Sequence, residues 1–84
     1  MTELIDSLEK IADVLYKDRI NEGIAMMSSV IPDLGIYVQT IETEESRQIF
    51  LNNALMPALE AMEKKDAIML ADIISYEIIE MIKS

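Results

Sequence analysis

The C-terminal stretch AIMLADIISYEIIEMIKS, residues 67–84, constrains the fold more than any other part of the chain. It reads as one helix over residues 67–82, and at ~100° per residue its apolar side chains cover half of the circumference or more. A helix that packs on one surface of a domain needs an apolar arc of only ~100°. Each aliphatic side chain left in water forfeits ~1.5–3 kcal/mol, so we expect this helix to pack against two partners.

The second partner can come from either of two places, and the sequence leaves both open. In a four-helix bundle each helix already has two neighbours, which would cover the arc within one chain. A helix of a second subunit would cover it equally well in a homodimer. In that case the interaction surface would be the stripe formed by Leu70, Ile74, Ile78 and Met81.

Apolar residues at three- and four-residue intervals predict helices along the rest of the chain too. The predicted helices cover about residues 2–16, 19–30, 44–64 and 67–82, with helix resuming over residues 33–41 after the second of them. Asp18, Thr43 and Asp66 are the expected N-caps, since their side-chain oxygens can accept a hydrogen bond from a free backbone N–H. The pattern Lys-Asp-x-Ile, which begins at Lys17 and again at Lys65, also hints at two similar hairpins in tandem.

Two prolines fall inside these helices. Ile31 precedes Pro32, and a residue before proline avoids the helical region, so we expect the second helix to be broken or kinked near Pro32. Pro57 lacks the N–H of a regular helical hydrogen bond, so we expect the third helix to be bent near Pro57. The sequence thus predicts a single all-α domain over residues 1–84, a compact antiparallel bundle of about four helices.

Acidic residues outnumber basic ones by 16 to 7, which gives a net charge of −9. Such a surface repels nucleic acid and anionic membranes, because both are bound through clustered Lys and Arg. No apolar run reaches the ~18 residues of a membrane span, and the N-terminus has neither the basic region nor the apolar core of a signal peptide. We therefore expect a cytoplasmic protein that binds neither nucleic acid nor membrane.

The chain has no histidine, no cysteine and only two glycines. The commonest general base, the commonest thiol nucleophile and a glycine-rich phosphate loop are therefore missing. We expect a protein that is not an enzyme and that holds no cofactor. Its seven methionines fit either irregular core filling or an adaptable binding surface. A small apolar ligand between loosely packed helices is a further alternative.

One pattern favours a different chemistry. Glu60 and Glu63 form a pair three residues apart on a helix, and Glu77 and Glu80 form another. Facing carboxylate pairs can hold Mg²⁺ or Mn²⁺, and the arrangement is similar to that of some all-α nucleotide pyrophosphohydrolases. The alternative function is therefore a metal-dependent hydrolase that uses these four carboxylates.

The segment EKKDAIMLADIISYEIIEMI, about residues 63–82, resembles a pattern near the end of small uncharacterised helical proteins of low-GC Gram-positive bacteria. The matching residues are Asp66, Leu70, Ala71, Asp72, Tyr76 and Glu77. The resemblance implies a bacterial, all-helical protein and brings no known activity with it. The wide apolar arc and the missing catalytic side chains point to a small interaction module, an adaptor or chaperone-like protein that binds another protein or itself. Its surface would be drawn from the last helix and from residues 35–41.

Overall fold

The structure is a computed structural model that describes residues 2–83. Short connections join successive antiparallel helical rods, and no strand occurs in this part of the chain. The rods are α1 (Thr2–Tyr16), α2 (Ile20–Thr40), α3 (residues 44–64) and α4 (residues 67–83). The predicted all-α bundle of four helices is confirmed.

Side-chain caps begin two of the rods, as the sequence predicts. Thr43 Oγ1 accepts a hydrogen bond from the backbone N–H of Ser46 at 3.1 Å, at the start of α3. Asp66 Oδ1 accepts one from the N–H of Met69 at 3.1 Å, at the start of α4. Each cap satisfies one of the backbone donors that a helix N-terminus leaves free, so these two helix starts follow from local sequence.

The predicted N-cap at Asp18 is wrong. Asp18 has φ 63°, in the left-handed region, and Arg19 takes the N-cap position of α2 without a side-chain hydrogen bond. In the second hairpin the left-handed residue is Lys65, with φ 55°, and Asp66 follows it as the cap. The first connection is therefore one residue longer, and the two Lys-Asp-x-Ile patterns do not occupy equivalent positions.

The predicted break near Pro32 does not occur, because α2 continues as one helix through this proline. Pro32 cannot donate to the carbonyl of Ser28, four residues earlier. Both residues are exposed, so water can satisfy that carbonyl. The helix therefore tolerates the proline on its outer surface.

The irregularity predicted near Pro57 takes the form of a π-helical turn. Leu51–Leu55 is π-helical, and the N–H of Met56 donates to the carbonyl of Leu51, five residues back. A proline ring normally collides with the carbonyl four residues before it, and a wider turn leaves room for the ring. A second π turn, Ile74–Ile78, interrupts α4 without a proline and packs against the first.

The core lies between the rods and is apolar throughout. No polar or charged side chain is buried among residues 3–83, whose side chains the structure describes. The largest fully buried side chains are Leu8, Ile11, Leu15, Met27, Leu34, Leu70, Ile74 and Ile78. Small residues let the backbones come close: at Gly23 an added Cβ would lie 2.7 Å from Cγ of Leu15. Packing of aliphatic side chains therefore accounts for the stability of the bundle.

The rods do not approach one another equally. α1 packs closely against both α2 and α4, and α4 packs closely against α3. By contrast, α2 comes close to α3 mainly over Glu44–Phe50, near the loop that joins them. Here Arg47 donates to the carbonyl of Ile41 at 2.6 Å and to Glu44 at 2.9 Å, which fixes the loop. Beyond this end, the seam between α2 and α3 is the loosest contact between neighbouring rods.

Candidate interaction surface

The stripe predicted on the last helix lies mostly in the core. Leu70, Ile74 and Ile78 are 0% exposed, while Met81 is half-buried. The carbonyl of Met81 accepts a hydrogen bond from the hydroxyl of Tyr37 at 3.5 Å. The other rods of the same chain thus cover the apolar arc of α4. These three residues present no accessible surface in the closed bundle, and their role in docking stays a prediction.

The four glutamates of the metal alternative are not brought together. Within residues 2–83, no three carboxylates come close enough to hold a metal ion. Glu60 and Glu63 lie near the connection between α3 and α4, whereas Glu77 is ten residues beyond Ala67, or ~15 Å along the rod. All four side chains are exposed. The geometry therefore gives the hydrolase alternative no site.

One flank of α2 carries half-buried aliphatic residues that face away from α1. Residues on the opposite flank, such as Met26 and Tyr37, line clefts against α1. Ile24 and Ile31 each follow directly after a core residue, and Val38 continues their row at a seven-residue interval. Because one residue turns a helix by ~100°, these three side chains lie together beside the core and point toward α3.

One flank of α3 also carries a row of aliphatic residues beside the core. Its core residues Phe50, Ala54, Ala58 and Ala61 are each followed by an aliphatic residue. These followers are Leu51, Leu55, Leu59 and Met62, which are half-buried except for Leu59, at 41% exposure. The other flank, at Ile49, lines a cleft with Met81 of α4. The followers therefore point away from α4 and toward α2.

We call this surface the α2–α3 face: Ile24, Ile31 and Val38 of α2, with Leu51, Leu55, Leu59 and Met62 of α3. It carries very little charge. Residues 23–32, 34–41 and 48–59 contain no charged side chain, and Asp33, on the flank toward α1, is the single charge on α2 beyond Glu22. The acidic residues concentrate instead on α1, at the helix ends and on the outer side of α4.

Two further features of the surface bring side chains from different rods together. A cleft of about 320 Å³ lies near the loop that joins α2 to α3. It is lined by Tyr37, Ile41, Ser46, Ile49, Phe50 and Met81. The rings of Tyr37 and Phe50 meet edge to face there, with centroids 5.3 Å apart. The cleft opens to solvent, so it does not enclose an apolar ligand in the way that ligand pockets do.

The second feature is a tyrosine–carboxylate pair between α1 and α4. The hydroxyl of Tyr16 donates to Oδ1 of Asp72 at 2.6 Å. This hydrogen bond, together with partial desolvation and the charge of Asp72, raises the pKa of Tyr16 above its ordinary value of 10.0. Tyr76 nearby is 68% exposed, as expected for a residue on the polar side of α4. The pair fastens α1 to α4.

Sequence reasoning missed the α2–α3 face because it treated α2 and α3 as ordinary amphipathic helices. The signal that could have revealed the face is the uncharged run 48–59 opposite the nearly uncharged run 23–41. Of residues 35–41, which the sequence also proposed, Val38 belongs to the face, whereas Ile36, 62% exposed, lines the cleft between α2 and α1.

Comparison with known proteins identifies the family and leaves activity open. No helix among residues 2–83 has the length and hydrophobicity that crossing a bilayer requires. No curated protein and no solved structure matches the chain. The resemblance to proteins of Gram-positive bacteria stays a prediction. The family model described as Domain of unknown function (DUF8042) matches residues 1–84, the whole length, and the chain therefore belongs to that family.

Proposed function

We propose that the chain is a small interaction module that assembles with a second copy of itself through the α2–α3 face. The observation that carries the proposal is the position of the half-exposed aliphatic residues, which lie together on a face without charge. Leu59, at 41% exposure, is the most exposed member, and Met56, at 56%, borders it on α3. Interface cores are depleted in charged residues and enriched in methionine, which fits this face.

The charge distribution supports a second copy as the occupant. Two chains of net charge −9 repel each other wherever their acidic surfaces meet. Stacking one α2–α3 face on the other places α1 and the outer side of α4, which carry many of the acids, on the far sides of the pair. A two-fold symmetric contact uses the same patch on both copies, so no second complementary surface is required.

The size of the face also suits a dimer. α2 is ~30 Å long and two adjacent helices are ~20 Å wide, which gives ~600 Å² in projection and more over the side-chain relief. A standard interface buries ~800 Å² per partner, roughly one-sixth of the 5099 Å² surface of this chain. The face therefore approaches the size of a standard interface.

Sedimentation velocity on three proteins tests the proposal. The unmodified chain should sediment as a dimer, with twice the mass of one chain, at micromolar concentration or above. Leu59→Glu places a carboxylate in the face and should give monomers that remain helical by circular dichroism. Ile68→Glu is the matched control, because Ile68 is similarly exposed, at 52%, and lies on α4 outside the face.

We expect the unmodified chain to be a dimer, the Leu59→Glu variant to be a monomer and the Ile68→Glu variant to be a dimer. A monomeric unmodified chain at millimolar concentration would contradict the proposal, and so would equal dissociation by both glutamate substitutions.

We further propose that the assembled pair works as an adaptor or chaperone-like protein in the cytoplasm. In such a pair, the solvent-exposed side of α4 and the ends of the bundle remain accessible to other proteins.

A further inference from the structure

Gly35 lies on the α2–α3 face, in the row between Ile31 and Val38, and no contact within residues 2–83 accounts for a glycine there. It directly follows the core residue Leu34, so it points toward the same seam as its aliphatic neighbours. A Cβ added at Gly35 would meet nothing within 4 Å. Its backbone is helical and does not have the positive φ that favours glycine.

A glycine in the middle of a helix weakens that helix relative to alanine, because the unfolded chain loses more freedom on folding. Gly23, in the same helix, has a clear reason within the chain, since Leu15 occupies the space of a side chain. Gly35 lacks such a neighbour. Among residues 2–83, no contact calls for a bare backbone at Gly35, and the glycine leaves a gap in the aliphatic row of α2.

We infer that Gly35 is the position at which a helix of the second copy contacts the backbone of α2. This inference rests on the proposed self-association and adds the place of closest approach. Ile31 and Val38 form the walls of a gap that Gly35 leaves in the aliphatic row. A side chain of the partner copy enters this gap, as a knob enters a hole between packed helices. Gly35 thereby fixes how closely and at which level the two copies meet.

Substitutions at Gly35 separate this role from ordinary helix stability, because the two effects have opposite signs. Gly35→Ala should raise the urea midpoint of the monomer, measured at concentrations too low for assembly. The same variant should weaken the dimer ~10-fold, or ~1.4 kcal/mol, because the new methyl group enters the contact. Gly35→Leu should weaken the dimer by more than the alanine variant does.

Ser29→Leu is the matched control for the larger substitution. Ser29 is exposed on the flank of α2 that lines a cleft with α1, so a leucine there should leave the dimer unchanged. If Gly35→Leu assembles with the affinity of the unmodified chain while Leu59→Glu does not assemble, the inference fails and the proposed function stands. If the unmodified chain is monomeric, both fail. Equal weakening by Ser29→Leu would also overturn the assignment of Gly35.

Discussion

Replacing Gly23 by alanine tests how tightly α1 packs on α2. The added Cβ would lie 2.7 Å from Cγ of Leu15, closer than nonbonded carbon atoms approach in proteins, and closer still to Cδ2 of the same side chain. Leu15 is 0% exposed, so it cannot swing into solvent. Either Leu15 leaves its preferred rotamer inside the core, or α1 and α2 move apart.

Two opposing contributions set the size of the effect. Alanine is a better helix former than glycine by ~1 kcal/mol. Overpacking a tight core is destabilising by ~1–3 kcal/mol. Gly23→Ala should therefore lower the free energy of unfolding by up to ~2 kcal/mol. Gly35→Ala gains the same advantage in helix propensity without a clash. It should therefore raise the free energy of unfolding by ~1 kcal/mol.

Thermal and urea denaturation of the two variants, at concentrations where the chain is monomeric, provide the assay. The variants should differ by ~1–3 kcal/mol, which for a domain of this size separates their Tm values by at least ~4 °C. Both variants replace glycine by alanine in the same helix, so the difference in helix propensity between these residues cancels when the variants are compared. Equal stabilisation by both would refute the close contact between Gly23 and Leu15.

Three further outcomes follow from burial, charge and hydrogen bonding. Ile74→Ala, in the core, should lower the free energy of unfolding by ~2–5 kcal/mol in urea titrations, whereas Ile68→Ala, at 52% exposure, should change it by less than ~1 kcal/mol. The dimer should tighten as NaCl is raised, because salt screens repulsion between two acidic chains, and an interface of ion pairs would instead loosen in sedimentation equilibrium. In a variant whose other tyrosines are phenylalanine, ultraviolet titration should place the pKa of Tyr16 above 10.0, and Asp72→Asn should lower it. The raised pKa means that the Tyr16 contribution to stability is fully present below pH 10 and is lost as the pH rises through the pKa of the folded state.

The parts of the fold that depend on neighbouring residues in sequence were predictable. The caps at Thr43 and Asp66 are local, and so is the three- to four-residue spacing that defines each rod. Asp18 misled the prediction, because an aspartate beside a helix start can serve as a cap or can adopt left-handed φ. The length of the connection decides between these, and it depends on how α1 and α2 meet.

The parts that depend on distant residues were not predictable. A helical wheel shows how wide the apolar arc of α4 is, but it does not say whether a neighbour in the chain or a second copy covers it. Gly23 and Gly35 look alike in sequence, and only the position of Leu15 distinguishes them. The weaker contact between α2 and α3 likewise follows from how the rods are arranged around the core.

The paired π turns tie the lengths of α3 and α4 to each other. A π turn is equivalent to one extra residue inserted into an α-helix, which rotates everything beyond it by ~100°. Because Leu51–Leu55 and Ile74–Ile78 pack against each other, both rods undergo this rotation where they touch. Removing one residue from a single turn would put the two halves of that rod out of phase with its neighbour. Homologous chains that lack one of these insertions should therefore lack the other as well.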